Sequence, residues 1–152
     1  MNQPTDQMTE EHSLRLDDQL CFALYAASRA VTARYRPLLD QLGLTYPQYL
    51  VMLVLWEHGE VHVKDLRSAL HLETSTLSPL LKRMESDGLI SRRRCGDDER
   101  SVIITPTAAG TDLHDKARTV PPAMAQAMGL SPDELTAAKE LLRQLTTNLT
   151  HS

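Results

Sequence analysis

Aromatic residues are scarce in this chain: one Phe, one Trp and four Tyr make up 4% of it. A core built from it must rest on Leu, Val, Ala and Met. Cysteine is scarcer still, with Cys21 and Cys95 alone. Two cysteines do not make a disulfide framework, so the expectation is free thiols in a reducing cytoplasm. No apolar run approaches the roughly 18 residues that mark a membrane span. The N-terminal "MNQPTDQMTEEHS" is polar and acidic, without the basic and apolar regions of a secretory signal. There is no phosphate-binding Gly-rich loop, no pair of catalytic carboxylates, no Ser-His-Asp set and no evident peroxidatic motif. An enzyme is therefore not expected, nor a cofactor. His58 and His62 are four apart, but Gly59 stands between them as a helix terminator, which spoils ligand geometry, and no metal site is expected.

The 152 residues suit one domain, with 41% hydrophobic and 24% charged residues, an ordinary soluble composition. The net charge of −4 argues against nucleic acid on its own, but the distribution argues otherwise. Half of all Lys and Arg lie between Lys64 and Arg100, and Lys82 to Arg94 holds five basic and two acidic side chains. A local basic face can bind phosphates within an acidic whole.

"RLDDQLCFALYAASR" opens an amphipathic helix running from about Asp17 or Asp18, either of which can cap it, to Gln41. Leu20, Leu24, Ala27, Val31, Tyr35 and Leu38 form its stripe. Pro37 predicts a kink or a break near its end, and Gly43 fits a C-cap. "TYPQYLVMLVLWEHG" predicts a second helix, capped by Thr45 and closed by Gly59, apolar almost all round and hence deeply buried. A short helix over Val63–Leu70, a tight connection at "HLE" and a fourth helix, "TSTLSPLLKRMESDG", follow. Leu77, Leu80, Leu81 and Met84 are its buried stripe. Pro79 lies late in it, so either the first turn is irregular or the cap is Ser75 or later. "LISRRRCGDDERSVIITPT" then switches to β-forming residues on both sides of a turn cluster, a hairpin signal. Helical spacing resumes until Pro121 and Pro122 interrupt it. A last helix, capped by Ser131 with Pro132 at its first position, carries Leu135, Ala138, Leu142, Leu145 and Leu149 in a heptad-like seam.

Helix, tight turn, helix and hairpin is the winged helix-turn-helix order, a mainly α fold with a small β-hairpin wing. The second helix of such a pair enters the major groove. Thr74, Ser75, Thr76 and Ser78 supply short hydroxyls near its start, and Lys82 and Arg83 lie further along, suited to phosphates or guanine. Arg92, Arg93, Arg94 and Arg100 sit on the hairpin, where guanidinium groups suit the minor groove and the phosphates beside it. The partner expected is double-stranded operator DNA. The apolar first and last helices exceed what a helix-turn-helix core can cover, which predicts a homodimer on a palindromic site. About 14–45 and 111–152 would be the dimerisation helices and about 46–110 the DNA-binding lobe of a single 1–152 domain.

The span from "TYPQYLVMLVLWEHGEVHVKDLRSAL" through "SVIITPTAAG" resembles the MarR family of dimeric winged-helix regulators. "LDDQLCFALYAASRAVTARYRPLLDQLGLTYPQYL" is similar to its OhrR branch, the organic-hydroperoxide-sensing repressors. The resemblance covers roughly Leu16 to the end. It implies that Cys21 is a reactive cysteine, that Tyr35 and Tyr46 reach it from the partner subunit and that Tyr25 lies near the pocket. It also implies a wing salt bridge between Asp98 and Arg100. Early in its helix Cys21 feels the positive end of the macrodipole, which favours a thiolate, while Asp17 and Asp18 oppose one unless engaged in capping. Two-cysteine members of the branch carry a resolving cysteine after the wing, and this chain has none from Gly96 onward. Cys21 sulfenic acid is therefore expected to be capped by a low-molecular-weight thiol. The function implied is a cytoplasmic repressor released from DNA when organic hydroperoxide oxidises Cys21. The alternative is a repressor of the same family released by a small aromatic or phenolic ligand.

Overall fold

A computed structural model describes residues 13–96 and 101–151. The chain starts with a single 3-10 turn, Leu16–Asp18, and then α1, Leu20–Asp40. Neither Asp17 nor Asp18 caps that helix. Gln19 is its N-cap, in extended conformation and without a side-chain cap. The local polar groups have taken other partners: the Ser13 hydroxyl donates to Asp18 at 2.7 Å, and Gln19 Nε2 donates to the Ser13 and Arg15 carbonyls at 2.7 and 2.9 Å. Cys21 is thus the second residue of α1.

Pro37 does not break α1, which continues to Asp40. The proline removes one donor, the one that would have served the Ala33 carbonyl. Two features hold the last turn: Leu39 is buried, and Gly43 at φ +68 turns the chain so that its N–H meets the Asp40 carbonyl and the Leu44 N–H meets the Leu39 carbonyl.

α2, Tyr46–His58, starts at a reciprocal cap in which Thr45 and Gln48 each accept from the other's backbone N–H. It buries Tyr49, Val51, Met52 and Leu55, and Gly59 ends it at φ +77. β1, Val61–His62, follows, a strand of two residues that exists only by pairing with β3; the spacing had placed these residues simply ahead of the next helix. α3 is Val63–Leu70 and α4 is Thr74–Ser86, joined through His71 in the left-handed region at φ 55. α4 begins at Thr74 and not later, with Glu73 as N-cap, and Pro79 lies within it without ending it. Its core face is Leu77, Leu81 and Met84, fully buried, with Leu80 half-buried.

β2, Ile90–Arg94, and β3, Val102–Pro106, form the hairpin, and the antiparallel sheet runs β1-β3-β2. α5, Ala108–Ala117, is capped by Thr107. Pro121 and Pro122 begin a helix rather than interrupt one: α6 is Val120–Met128, and both prolines fall in a first turn whose N–H groups have no helical partner anyway. α7, Pro132–Thr150, starts at a Ser131–Glu134 capping box.

The architecture is mainly α with a small winged sheet, seven α-helices among the described residues. The core lies in the winged lobe, where α2, α3, α4 and the sheet enclose Val51, Met52, Leu55, Leu66 and Ile104 with the end of α1. Each such side chain contributes about 1.5–3 kcal/mol by leaving water. By contrast α7 buries none of its residues, and α1 buries only Leu39. No helix among the described residues is long and apolar enough to cross a membrane.

Candidate functional site

The outer face of α4 follows from its inner one. With Leu77, Leu81 and Met84 turned to the core, Ser75, Thr76, Ser78, Lys82 and Arg83 stand in solvent. Thr74 is exposed too, but its hydroxyl is engaged: Arg67 Nη1 on α3 donates to Thr74 Oγ1 at 2.9 Å. Arg67 was not singled out from sequence. It ties the first helix of the pair to the first residue of the second across the His71 turn.

On the hairpin, side chains alternate between faces. Arg92 pairs in register with the buried Ile104 and leaves the sheet toward α4. There its guanidinium lies 3.0 Å from Glu85 Oε1, and its backbone N–H donates to Glu85 Oε2 at 3.2 Å. Arg93 leaves from the opposite face and meets Glu60 Oε1 at 2.7 Å. These contacts hold the Glu60 and Glu85 carboxyls below the usual carboxylate range, chiefly through the hydrogen bonds from Arg93 and Arg92. Arg94 is exposed and makes no ion pair among the described residues. Arg100 and Asp98, and with them the expected wing salt bridge, lie outside the described residues. Cys95 is half-buried at the end of β2, where its N–H donates to the Ser101 carbonyl at 2.9 Å.

Cys21 and Cys95 are both free thiols, and Cys21 is exposed. Tyr25 lies one turn beyond Cys21, also exposed, with the Arg29 guanidinium 5.6 Å from its ring centroid. Tyr35 lies toward the other end of α1, and Tyr46 opens α2 beside it. Tyr35 lies fourteen helical steps beyond Cys21, about 21 Å of axis, so one subunit does not bring the thiol and this tyrosine pair together. The two rings pack on each other with centroids 4.7 Å apart. Tyr49 joins them at 5.7 Å from Tyr35 and 6.4 Å from Tyr46. Burial, and then the neighbouring Tyr46 and Tyr49, push the Tyr35 hydroxyl above the ordinary tyrosine range; burial and Tyr46 do the same for Tyr49. Such hydroxyls stay protonated at neutral pH and are available as donors. A cavity of about 280 Å³ opens beside the pair, lined among others by Thr32, Arg36, Leu39 and Leu44.

Tyr49 was not anticipated as part of this cluster. The signal was its spacing, three residues after Tyr46 on one helical face. It extends the cluster inward, to Trp56 at 6.4 Å, whose ring packs edge-on to His114 at 5.6 Å and whose indole N–H donates to the Gly110 carbonyl at 3.0 Å. His58 ends α2 and His62 lies in β1, and no cluster of metal-binding side chains is found among the described residues.

The family model described as transcriptional regulator SarA/Rot matches residues 33–117. The organic hydroperoxide resistance transcriptional regulator of Bacillus subtilis (strain 168) is 48% identical over 136 residues, 90% of this chain and 90% of that one. Among solved structures, overoxidised AbfR bound to DNA superposes with a TM-score of 0.75 at 36% identity, covering 93% of this chain and 99% of that chain. AbsC, a MarR family transcriptional regulator from Streptomyces coelicolor, superposes with a TM-score of 0.78 at 25% identity, covering 92% of this chain and 99% of that one.

Proposed function

The chain belongs to the MarR family of winged-helix transcriptional regulators, in its organic-hydroperoxide branch, and on that premise we propose that it is a redox-sensing repressor whose trigger is Cys21. It is a regulator and not an enzyme. It binds operator DNA as a homodimer through α4 and the wing, and it leaves DNA when organic hydroperoxide oxidises the thiol.

The observation that carries this reading is the separation of Cys21, at the start of α1, from Tyr35 late in α1 and Tyr46 at the start of α2. A site made of all three needs a second copy, antiparallel to the first, so that each cysteine meets the other subunit's tyrosines. Exposed apolar side chains lie where such a copy would cover them: Leu20, Phe22 and Leu24 on α1, and Leu130, Leu135 and Leu142 at the start of and along α7. Residues of about 14–45 and 111–152 thus serve dimerisation, and about 46–110 serve DNA.

The chemistry follows from the donors. Tyrosine hydroxyls that remain protonated stabilise a thiolate by charge-assisted hydrogen bonds. The thiolate attacks the outer peroxide oxygen; the S–O bond forms as the O–O bond breaks, and the departing alkoxide takes a proton to become an alcohol. Sulfur is oxidised to the sulfenic acid and the peroxide is reduced. The sulfenic acid no longer accepts those hydrogen bonds as an anion, the subunit interface shifts, and the two α4 helices lose the spacing of a palindromic site. A low-molecular-weight thiol then condenses with the sulfenic acid, releasing water and leaving a mixed disulfide. Cys95 lies on the wing and takes no part. The setting is the cytoplasm, where a reductant restores the thiol.

The test is a titration of a duplex selected from a random pool by the reduced protein. Organic hydroperoxide releases wild type and does not release Cys21→Ser; release of both alike overturns the reading. The 280 Å³ cavity beside Tyr35 and Tyr46 favours a second reading, release by a small phenolic ligand. In that case Cys21→Ser still leaves DNA on adding the phenol.

A further inference from the structure

The two wing arginines are tethered in different ways. Glu85 holds Arg92 twice, once through the side chain and once through the backbone N–H, and so fixes the strand itself to α4. Glu60 touches Arg93 through one side-chain contact, with both side chains more than half exposed, and its carboxylate also accepts a hydrogen bond from Thr105 on β3. That contact joins residues 33 positions apart, across the full width of the sheet. Glu60 stands just ahead of β1, and Arg93 stands on β2, with β3 between them. An exposed pair of this kind adds little to stability, so a structural clip is a poor account of it. It does have one strong effect: it cancels a positive charge on the wing face opposite α4.

We infer that Glu60 is an affinity-setting residue for DNA, a counter-charge that neutralises Arg93 in the free protein and yields it to a backbone phosphate on binding. The inference rests on the proposed contact between Arg93 and DNA. A carboxylate and a phosphate oxygen present the same acceptor chemistry to a guanidinium, so the exchange costs Arg93 no hydrogen bond. The cost lies in what is left behind, a carboxylate close to the DNA backbone. Glu60 therefore lowers the affinity of the wing for any duplex. Phosphate contacts carry no sequence information, so the brake acts hardest, relative to the total, on non-operator DNA, whose binding is almost wholly electrostatic. Glu85 is predicted to act differently, because its second bond to the Arg92 backbone positions the strand.

The experiment is a double-variant cycle on the reduced full-length protein, read as affinity for a mixed-sequence duplex at several salt concentrations. Glu60→Gln keeps the size and the hydrogen-bonding capacity and removes the charge. It should tighten binding about three- to tenfold and steepen the salt dependence by about one for each subunit engaged. In an Arg93→Ala background the same change should alter affinity by no more than about twofold, since the group it frees is gone. Glu57→Gln, an exposed carboxylate off the wing, should also change little. Unchanged or weakened binding by Glu60→Gln overturns the inference, as does an equal gain in the Arg93→Ala background. If Arg93→Ala alone leaves affinity untouched, the underlying reading of Arg93 as a DNA contact fails, a separate outcome from failure of the brake.

Discussion

Tyr35 and Tyr46 pack ring against ring at 4.7 Å across the corner between α1 and α2, and Tyr49 closes the third side of the cluster. The two rings lie side by side, and their hydroxyls are proposed to act as a pair. If that pair serves the partner's Cys21, each hydroxyl adds a hydrogen bond to a charged sulfur, about 1.5–3 kcal/mol.

Removing one hydroxyl at a time tests this. Tyr35→Phe and Tyr46→Phe keep the packing and delete the donor. Each should slow oxidation of Cys21 by organic hydroperoxide about tenfold or more, measured as loss of free thiol in rapid mixing. Tyr25→Phe, whose ring stands in solvent under Arg29, should have a smaller effect. Equal effects at all three positions would speak against a specific pair.

The proposed dimer makes a second prediction. Leu142 is 45% exposed on a helix that buries none of its own residues. Leu142→Glu places a charge where the second subunit would bury a leucine. The protein should sediment as a monomer with its helical content retained, and its affinity for the selected duplex should fall at least 100-fold, because one α4 helix then acts without the other. A dimer of wild-type stability would place the interface elsewhere.

What could be read from sequence was chemistry confined to a few neighbouring residues. Thr45, Gly59 and Ser131 act as foreseen because a cap depends on the next three positions. The α4 core face emerged because its period is local. Asp17 and Asp18 misled because a carboxylate near a helix start can satisfy other donors, here the Ser13 hydroxyl. β1 was invisible because two residues become a strand only through β3, some forty positions later. Arg67 on Thr74 and Glu60 on Arg93 are tertiary pairings, and no spacing rule points to them. Cys21, Tyr35 and Tyr46 came from resemblance; the structure adds that Cys21 opens α1 while Tyr35, late in α1, and Tyr46, at the start of α2, meet at the far corner.

Acid should lower stability only modestly through the exposed carboxylates of the wing and of the α7 cap, since exposed pairs of this kind add little. The Glu60 and Glu85 carboxyls are held low by Arg93 and Arg92, and so is Glu134, by its Ser131 cap. A depressed carboxyl pKa means the folded state prefers the ionised form. The contribution is complete above the ordinary carboxylate value of 4.5 and is lost as pH falls through the depressed one. Thermal melting should be flat from neutral pH to about 5 and should decline below that. Glu134→Gln should remove part of the decline. A melting curve that already falls between pH 7 and 6 would point to histidines instead.

Gly110 makes the sharpest prediction for stability. It lies in the first turn of α5, against the turn that leads from α4 into the wing. A Cβ there would overlap the Leu89 carbonyl oxygen and come within 3.1 Å of the Met52 methyl. The backbone around it is fully engaged. Its N–H donates to Thr107 Oγ1 at 3.1 Å and its carbonyl accepts from Trp56 at 3.0 Å. Thr107 in turn donates to the Gly88 carbonyl at 2.6 Å, and its N–H donates to the Leu89 carbonyl at 3.0 Å. Neither neighbour can give way alone: the Leu89 oxygen is fixed by Thr107, and Met52 is wholly buried. Gly110→Ala should therefore cost about 1–3 kcal/mol through overpacking, lowering the melting temperature by roughly 2–12 °C. The Trp56 hydrogen bond reports on the same place. Trp56 is the sole tryptophan, so its fluorescence should shift in Gly110→Ala if α5 moves away from α2. A variant with unchanged melting and unchanged emission would show that the turn relaxes without cost and that the close approach is not what requires glycine.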